Sequence, residues 1–184
     1  APAAVCRNIQ TFSLDSTDGD WQASQLRSGG LGSVFILTGP GGIRQPVELG
    51  MPGRHNVKNA LAAAAICSWV GVSAEKISEA LESFPGVHRR FEILARDPVT
   101  VIDDYAHHPT EVEALLSAAR DVGFSGKVIG VFQPHQFSRL RQMLDAFAEA
   151  LAGFDEILVT KPYQARDSRE DQAAVNSNRL TREI

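Results

Sequence analysis

From Gly86 onward the chain alternates short apolar, β-branched runs with helical patterns, and this rhythm constrains the fold more than any other feature. The apolar runs lie near 91–95, 99–103, 127–132 and 155–160, and the helical patterns near 110–120 and 139–152. Such alternation implies right-handed crossovers and a parallel sheet. In open sheets of this class, ligands bind at the carboxyl ends of the strands. Every polar cluster of this half falls there: Asp103 to His108, then Gln133 to Gln136 with Ser138 and Arg139, then Lys161 to Tyr163. Three such loops predict one shared rim.

The first half has a different pattern. Residues 8–14 alternate apolar and polar, as a half-buried strand does. The runs Val34 to Leu37 and Pro46 to Leu49 flank Gly39-Pro40-Gly41-Gly42, which predicts a hairpin. An Ala-rich helix is expected over 56–70, ending before Gly71, and a second over 74–84 with Ser73 as its cap. Pro85 and Gly86 then break the pattern. The boundary between a first domain, 1–85, and a second, 86–184, is placed there.

Composition narrows the function classes. A hydrophobic share of 43% and a charged share of 22% are those of an ordinary globular chain. The net charge of −4 gives no basic footprint for nucleic acid. No apolar run approaches the roughly 20 residues of a membrane span, and the amino terminus lacks the pattern of a signal peptide. Cys6 and Cys67 are too few for a disulfide scaffold, which makes the reducing cytoplasm the expected setting.

The richest stretch is Asp103-Asp104-Tyr105-Ala106-His107-His108-Pro109-Thr110-Glu111. A connection here needs a turn and a helix cap. Pro109 supplies the turn and Thr110, at capping-box spacing from Glu113, the cap. Neither needs two carboxylates, a phenol and two imidazoles as well. A second signal runs from Gly53 to Ala60, where His55 and Asn56 open a helix whose free amides favour anions. Asn56 and Asn59 are three apart and share a face, and their amides suit the edge of a purine. Arg89 and Arg90, near the domain junction, carry the fork that matches phosphate oxygens.

Other motifs fail. Gly126-Lys127 lacks the Ser or Thr and the following helix of a phosphate loop, and Gly29 to Gly32 is a turn rather than a dinucleotide fingerprint. The histidines lack a spacing suited to zinc, so no metal ligand set is assigned within this chain. Ser138 is read as an N-cap and Cys67 as a helical cysteine without catalytic chemistry.

Taken together, the blocks Gly53 to Ala60, His88 to Glu92, Asp103 to Glu111 and Phe132 to Arg139 resemble the Mur ligase family. The resemblance runs from about Thr11 to the C-terminus. It implies the truncated end of a central ATPase domain, built of β-hairpins and two helices, followed by an incomplete Rossmann-like parallel-sheet domain. It implies that the amino-terminal domain, the phosphate loop and most metal ligands lie upstream, so that this chain alone has no turnover. The implied activity is an ATP-dependent, Mg2+-assisted carbon–nitrogen ligation in peptidoglycan precursor synthesis. UDP-N-acetylmuramate and L-alanine are the implied substrates, joined through an acyl phosphate.

By resemblance, Asn56 and Asn59 hold adenine, Asp104 the ribose, and Arg90 the terminal phosphate, with His55 close to the nucleotide. His107 and Arg139 face the amino acid, Tyr105 limits its size, and His108, His135 and Gln136 complete the substrate side. Arg90 and His107 are the implied catalytic pair. Two positions depart from the family pattern: Gln136 stands where relatives commonly carry arginine, and Leu140 where they often carry threonine. Glutamine cannot form a bidentate charge pair with a carboxylate. Two alternatives stay open: a murein-peptide recycling ligase of the same family, and a non-catalytic nucleotide- or partner-binding module.

Overall fold

The computed structural model describes residues 9–14 and 18–184. The chain separates into two units, the first ending at Val87 and the second running from His88 to Ile184. Cys6 and Asn8 lie outside the described residues.

In the first unit, β1 (Phe12–Ser13), β2 (Trp21–Gly29), β3 (Gly32–Gly39) and β4 (Ile43–Leu49) form one sheet in sequence order. β2, β3 and β4 pair antiparallel, while the short β1 runs parallel to β2. The expected hairpin is present, with Gly39 opposite Ile43 across a 3-10 turn of Pro40–Gly42. Gly39 must be glycine for a packing reason: a Cβ there would come within 2.6 Å of the Trp21 ring. Gly30 and Leu31 make the turn between β2 and β3, with Gly29 paired to Gly32.

The strand expected over 8–14 is reduced to two paired residues, and β2 takes its place as the long strand. β2 escapes a period-two reading because its register shifts between Ser24 and Arg27, where Gln25 takes a φ of 54°. Such a bulge inserts a residue and breaks the alternation.

Two helices cover one face of this sheet: α1 (Arg54–Trp69) and α2 (Ala74–Glu82). Trp21, Phe35, Leu37, Val47 and Leu49 of the sheet pack with Val57, Leu61 and Ala64 of α1 and Ile77 of α2. Full burial of such a side chain stabilises by about 1.5–3 kcal/mol. The Ser73 side chain caps α2, as expected, and Ser78 Oγ donates to Pro46 O at 2.6 Å, tying α2 to β4.

The second unit contains β5 (Glu92–Ala95), β6 (Val101–Asp103), α3 (Pro109–Val122), β7 (Ile129–Phe132), α4 (Phe137–Gln142), α5 (Leu144–Leu151), β8 (Glu156–Val159), α6 (Arg169–Ala174) and α7 (Ser177–Glu183). β7 and β8 pair parallel through a helical crossover. The single parallel sheet expected from the alternation is corrected on two counts. Among the described residues β5 and β6 form their own pair, and that pair is antiparallel. The reason is connection length. Only residues 96–100 join them, whereas a parallel return needs a dozen or more residues.

The helix expected over 139–152 is two helices, broken at Met143 (φ −125°, ψ 26°). The polar tail holds α6 and α7, capped by Ser168 and Asn176. Its fully buried contribution to the core is Val175 and Leu180, which pack with Phe147, Leu151, Leu140 and Phe132, with Ile184 partly buried against the same cluster. Two apolar residues in a polar stretch are too few to reveal a period. Among the described residues no helix is long and apolar enough to cross a membrane.

Candidate functional site

In the second unit the loops after β6, β7 and β8 meet. His135 makes an isolated parallel bridge with Tyr163. Tyr163 N–H donates to Pro134 O at 2.8 Å, and Gln136 N–H to Tyr163 O at 3.1 Å. Arg139 Nη1 donates to His107 O at 3.4 Å. The result is a wall of rings. Tyr105 and His107 lie 4.9 Å apart, His107 and His135 6.3 Å, and His135 stacks on Tyr163 at 5.2 Å with planes 15° apart. Arg89 sits over the Tyr105 ring at 4.7 Å, a cation–π contact. These rings line one end of a cleft of about 770 Å³ bordered by β6 and β7.

Beside the rings is a charged group. Phe91 N–H donates to Asp104 Oδ2 at 2.8 Å, which leaves Oδ1 as the carboxylate's open acceptor beside Arg90 Nη1 at 4.0 Å. Arg90 Nη1 is also 3.7 Å from Glu111 Oε1. The backbone here is strained: Arg89 and Phe91 have φ of 58° and 49°, and Gln136 has 70°. Left-handed non-glycine residues cost of order 1–3 kcal/mol each and gather at functional sites. Hydrogen bonds to Asp104, to Glu92 Oε2 and from Tyr105 N–H to Arg89 O hold the first two in place.

The neighbours His107 and His108 have opposite tasks. His107 Nδ1 faces acceptors, Tyr105 O at 2.7 Å and Glu111 Oε2 at 3.3 Å. A carbonyl can only accept, so Nδ1 carries the hydrogen and the neutral ring keeps its lone pair on Nε2. His108 is the N-cap of α3, its Nδ1 taking Thr110 Oγ1 at 2.9 Å and Thr110 N–H at 3.4 Å. This corrects the capping assignment. The box is His108 with Glu111, not Thr110 with Glu113, because the helix already begins at Pro109. Ser138 is likewise not an N-cap. It lies inside α4, with its N–H and Oγ on Asp167 Oδ1 at 3.0 and 3.1 Å.

Burial holds the pKa of His135 below its usual value, helped by the positive charge of Arg139 and by His107, and opposed by Asp167. Glu111 is pulled the other way by burial, but the N–H of His107 and the charges of His107 and Arg90 outweigh it, and its carboxyl lies below the usual range. Arg89, Glu111 and Tyr163 stood in the stretches singled out from sequence but were given no role of their own in the site, and Asp167 was missed.

In the first unit, His55, Asn56 and Asn59 occupy the first turns of α1, which starts at Arg54 after Gly53 (φ 92°). The two amides are not equivalent. Asn56 is 8% exposed and its Nδ2 donates to Pro52 O at 2.7 Å, whereas Asn59 is exposed. Among the described residues no group of three or more His, Cys, Asp or Glu side chains is placed to hold a metal ion.

The strand-end site lies in an α/β unit preceded by a sheet-and-helix unit, and sequence comparison identifies the family of each. Residues 2–67 match the Mur ligase middle domain and residues 89–184 the Mur ligase, glutamate ligase domain. The chain belongs to the Mur ligase family.

Among its relatives, the UDP-N-acetylmuramate–L-alanine ligase of Halorhodospira halophila is 42% identical over 170 residues, 90% of this chain and 35% of that protein. The crystal structure of the UDP-N-acetylmuramate–alanine ligase MurC from Thermotoga maritima superposes with a TM-score of 0.71 at 36% identity, over 84% of this chain and 34% of that one. A murein peptide ligase from Psychrobacter arcticus gives 0.60 at 28% identity, over 80% of this chain and 31% of that one. The chain thus spans about a third of the length of these relatives.

Proposed function

We propose that this chain is the end of the central domain and part of the C-terminal domain of an ATP-dependent ligase that joins L-alanine to UDP-N-acetylmuramate. The observation that carries this reading is the ring wall of Tyr105, His107, His135 and Tyr163 with Arg139 behind it, in a chain so similar to proteins bearing that name.

The donor set of the second unit fits part of a nucleotide. Asp104 keeps one carboxylate oxygen for a ribose hydroxyl, and Arg90, 44% exposed, has a guanidinium for a phosphate. In the first unit the exposed Asn59 amide suits an adenine edge, with His55 nearby. Asn56 contributes by holding the turn before α1. Among the described residues no set of side chains is placed to hold the divalent cation. Bound ATP would supply the phosphoryl group that turns the muramate carboxylate into a good acyl donor.

The chain's own residues then serve the amine. An incoming α-ammonium must lose a proton before it can attack, and His107 Nε2 offers a lone pair to take it. Burial lowers the pKa of His135, which reduces the positive charge beside that ammonium. Arg139 pairs with the amino-acid carboxylate, with Gln136 able to add only a neutral hydrogen bond. Tyr105, between Asp104 and His107, forms the wall that suits a methyl side chain.

The test uses the full-length protein that carries this segment. ADP formation should require both UDP-N-acetylmuramate and alanine. Tyr105→Ala should admit larger amino acids while keeping much of the alanine rate, since a methylene in an apolar pocket is worth about 1–3 kcal/mol. Arg139→Ala should raise KM for every amino acid at least tenfold. Turnover with a murein peptide in place of alanine would favour the recycling ligase, and no turnover with either the non-catalytic module.

A further inference from the structure

Glu111 makes more contacts than its place at the start of α3 requires. A capping box needs one contact from its acid, to the N–H of the N-cap residue. Glu111 Oε2 accepts that bond from His108 N–H at 3.1 Å, and it also accepts His107 N–H at 2.9 Å. The same oxygen lies 3.3 Å from His107 Nδ1, and Oε1 lies 3.7 Å from Arg90 Nη1. One carboxylate thus touches the backbone of both histidines, the imidazole of one, and the guanidinium proposed for the phosphate.

Resting on the ligase reading above, we propose that Glu111 is the positioning residue of this site. It holds the His107 backbone in the turn where Nδ1–H meets Tyr105 O and Nε2 is left as the base, and it sets the distance from that base to Arg90. A base whose far nitrogen is fixed by a third group is the general arrangement of activated proton acceptors. The other groups around His107 cannot do this. Tyr105 O fixes the Nδ1 hydrogen but carries no charge and does not reach Arg90. His135 meets His107 ring to ring, and Arg139 contacts it through the backbone carbonyl. Asp104 lies 4.0 Å from Arg90 and has one oxygen committed to Phe91 N–H.

Glu111→Gln separates this role from capping, because glutamine completes the box equally well. In the full-length protein, Glu111→Gln should melt within about 2 °C of wild type, keep KM for alanine within twofold and lose about tenfold in kcat. Glu111→Ala should also raise the alanine KM about fivefold as the His107 backbone is released. A second measurement needs no turnover. In nitrogen-15 spectra of the 184-residue chain at pH 8, neutral His107 should be the Nδ1–H tautomer. In Glu111→Ala it should become a mixture of tautomers, with amide exchange at His107 and His108 at least tenfold faster.

Wild-type kcat in Glu111→Gln, in an active enzyme, would overturn the proposal. So would an Nε2–H tautomer in wild type, or tautomer and exchange unchanged by Glu111→Ala. If the wild-type protein forms no ADP with muramate substrate and alanine, the ligase reading fails and the spectra alone decide the role of Glu111.

Discussion

In the first unit every long strand pairs with its neighbour in sequence, and Trp21, Phe35, Leu37 and Val47 are at most 1% exposed beneath α1 and α2. In the second, Phe132 on β7 is 7% exposed while its neighbour Val131 is 72% exposed, and Ile129 and Leu158 stand open beside it. The two units also treat polar groups differently. The first directs the Asn56 amide inward to a backbone carbonyl, whereas the second gathers its rings and charges along an open cleft. A sheet made of local hairpins needs one covered face. Parallel strands are apolar on both faces, so their sequence asks for cover on both. Among the described residues of the second unit that cover lies on one side, and the strand ends carry rings and charged side chains.

If the contrast between a packed layer and an open rim is right, the largest effect of any single change should come from the covered side of the second unit. Phe147→Ala, at a position 1% exposed and packed on Phe132, should cost about 3–5 kcal/mol, read by denaturant unfolding of this unit. A loss below 1 kcal/mol would mean that α5 is not the core helix described.

The next effect tests the inward amide. Asn56→Ala leaves Pro52 O without its donor and should destabilise the first unit by about 1–3 kcal/mol, whereas Asn59→Ala, on the exposed face, should stay within about 0.5 kcal/mol. Equal costs, measured by thermal and urea unfolding, would remove the distinction between the two amides.

The smallest effect concerns pH. His135 has a folded pKa below its ordinary value of 6.5, so the unfolded chain takes up the proton first as pH falls. Its contribution to stability is therefore present above about pH 6.5 and declines as pH drops toward the folded value. His135→Gln should flatten the slope of stability against pH in that window. An unchanged slope would assign it to other groups.

The sequence was legible where a local rule acts alone. The hairpin at Gly39 to Gly42, the Ser73 cap and the crossover between β7 and β8 each follow from a few adjacent residues. It was misleading where a neighbour in space competes. Ser138 looks like a cap but serves Asp167, 29 residues away, and Thr110 looks like a cap but yields to His108. The tail helices were hidden because Val175 and Leu180 matter only through the residues they bury against.

For the site, the residue types and their place at strand ends were written in the chain. Two carboxylates, a phenol and two imidazoles between an apolar run and a helix announce chemistry by composition alone, and side chains at a strand's end share a rim whatever their rotamers. Which histidine caps and which asparagine faces inward turn on where each helix starts, through contacts two to four residues long. Only the tertiary structure decided that Glu111 reaches Arg90 and that Arg139 reaches His107, because those distances cross elements far apart in sequence. Hydrogen bonds and ion pairs act over about 3–4 Å, and sequence spacing sets such distances only within a single turn or strand.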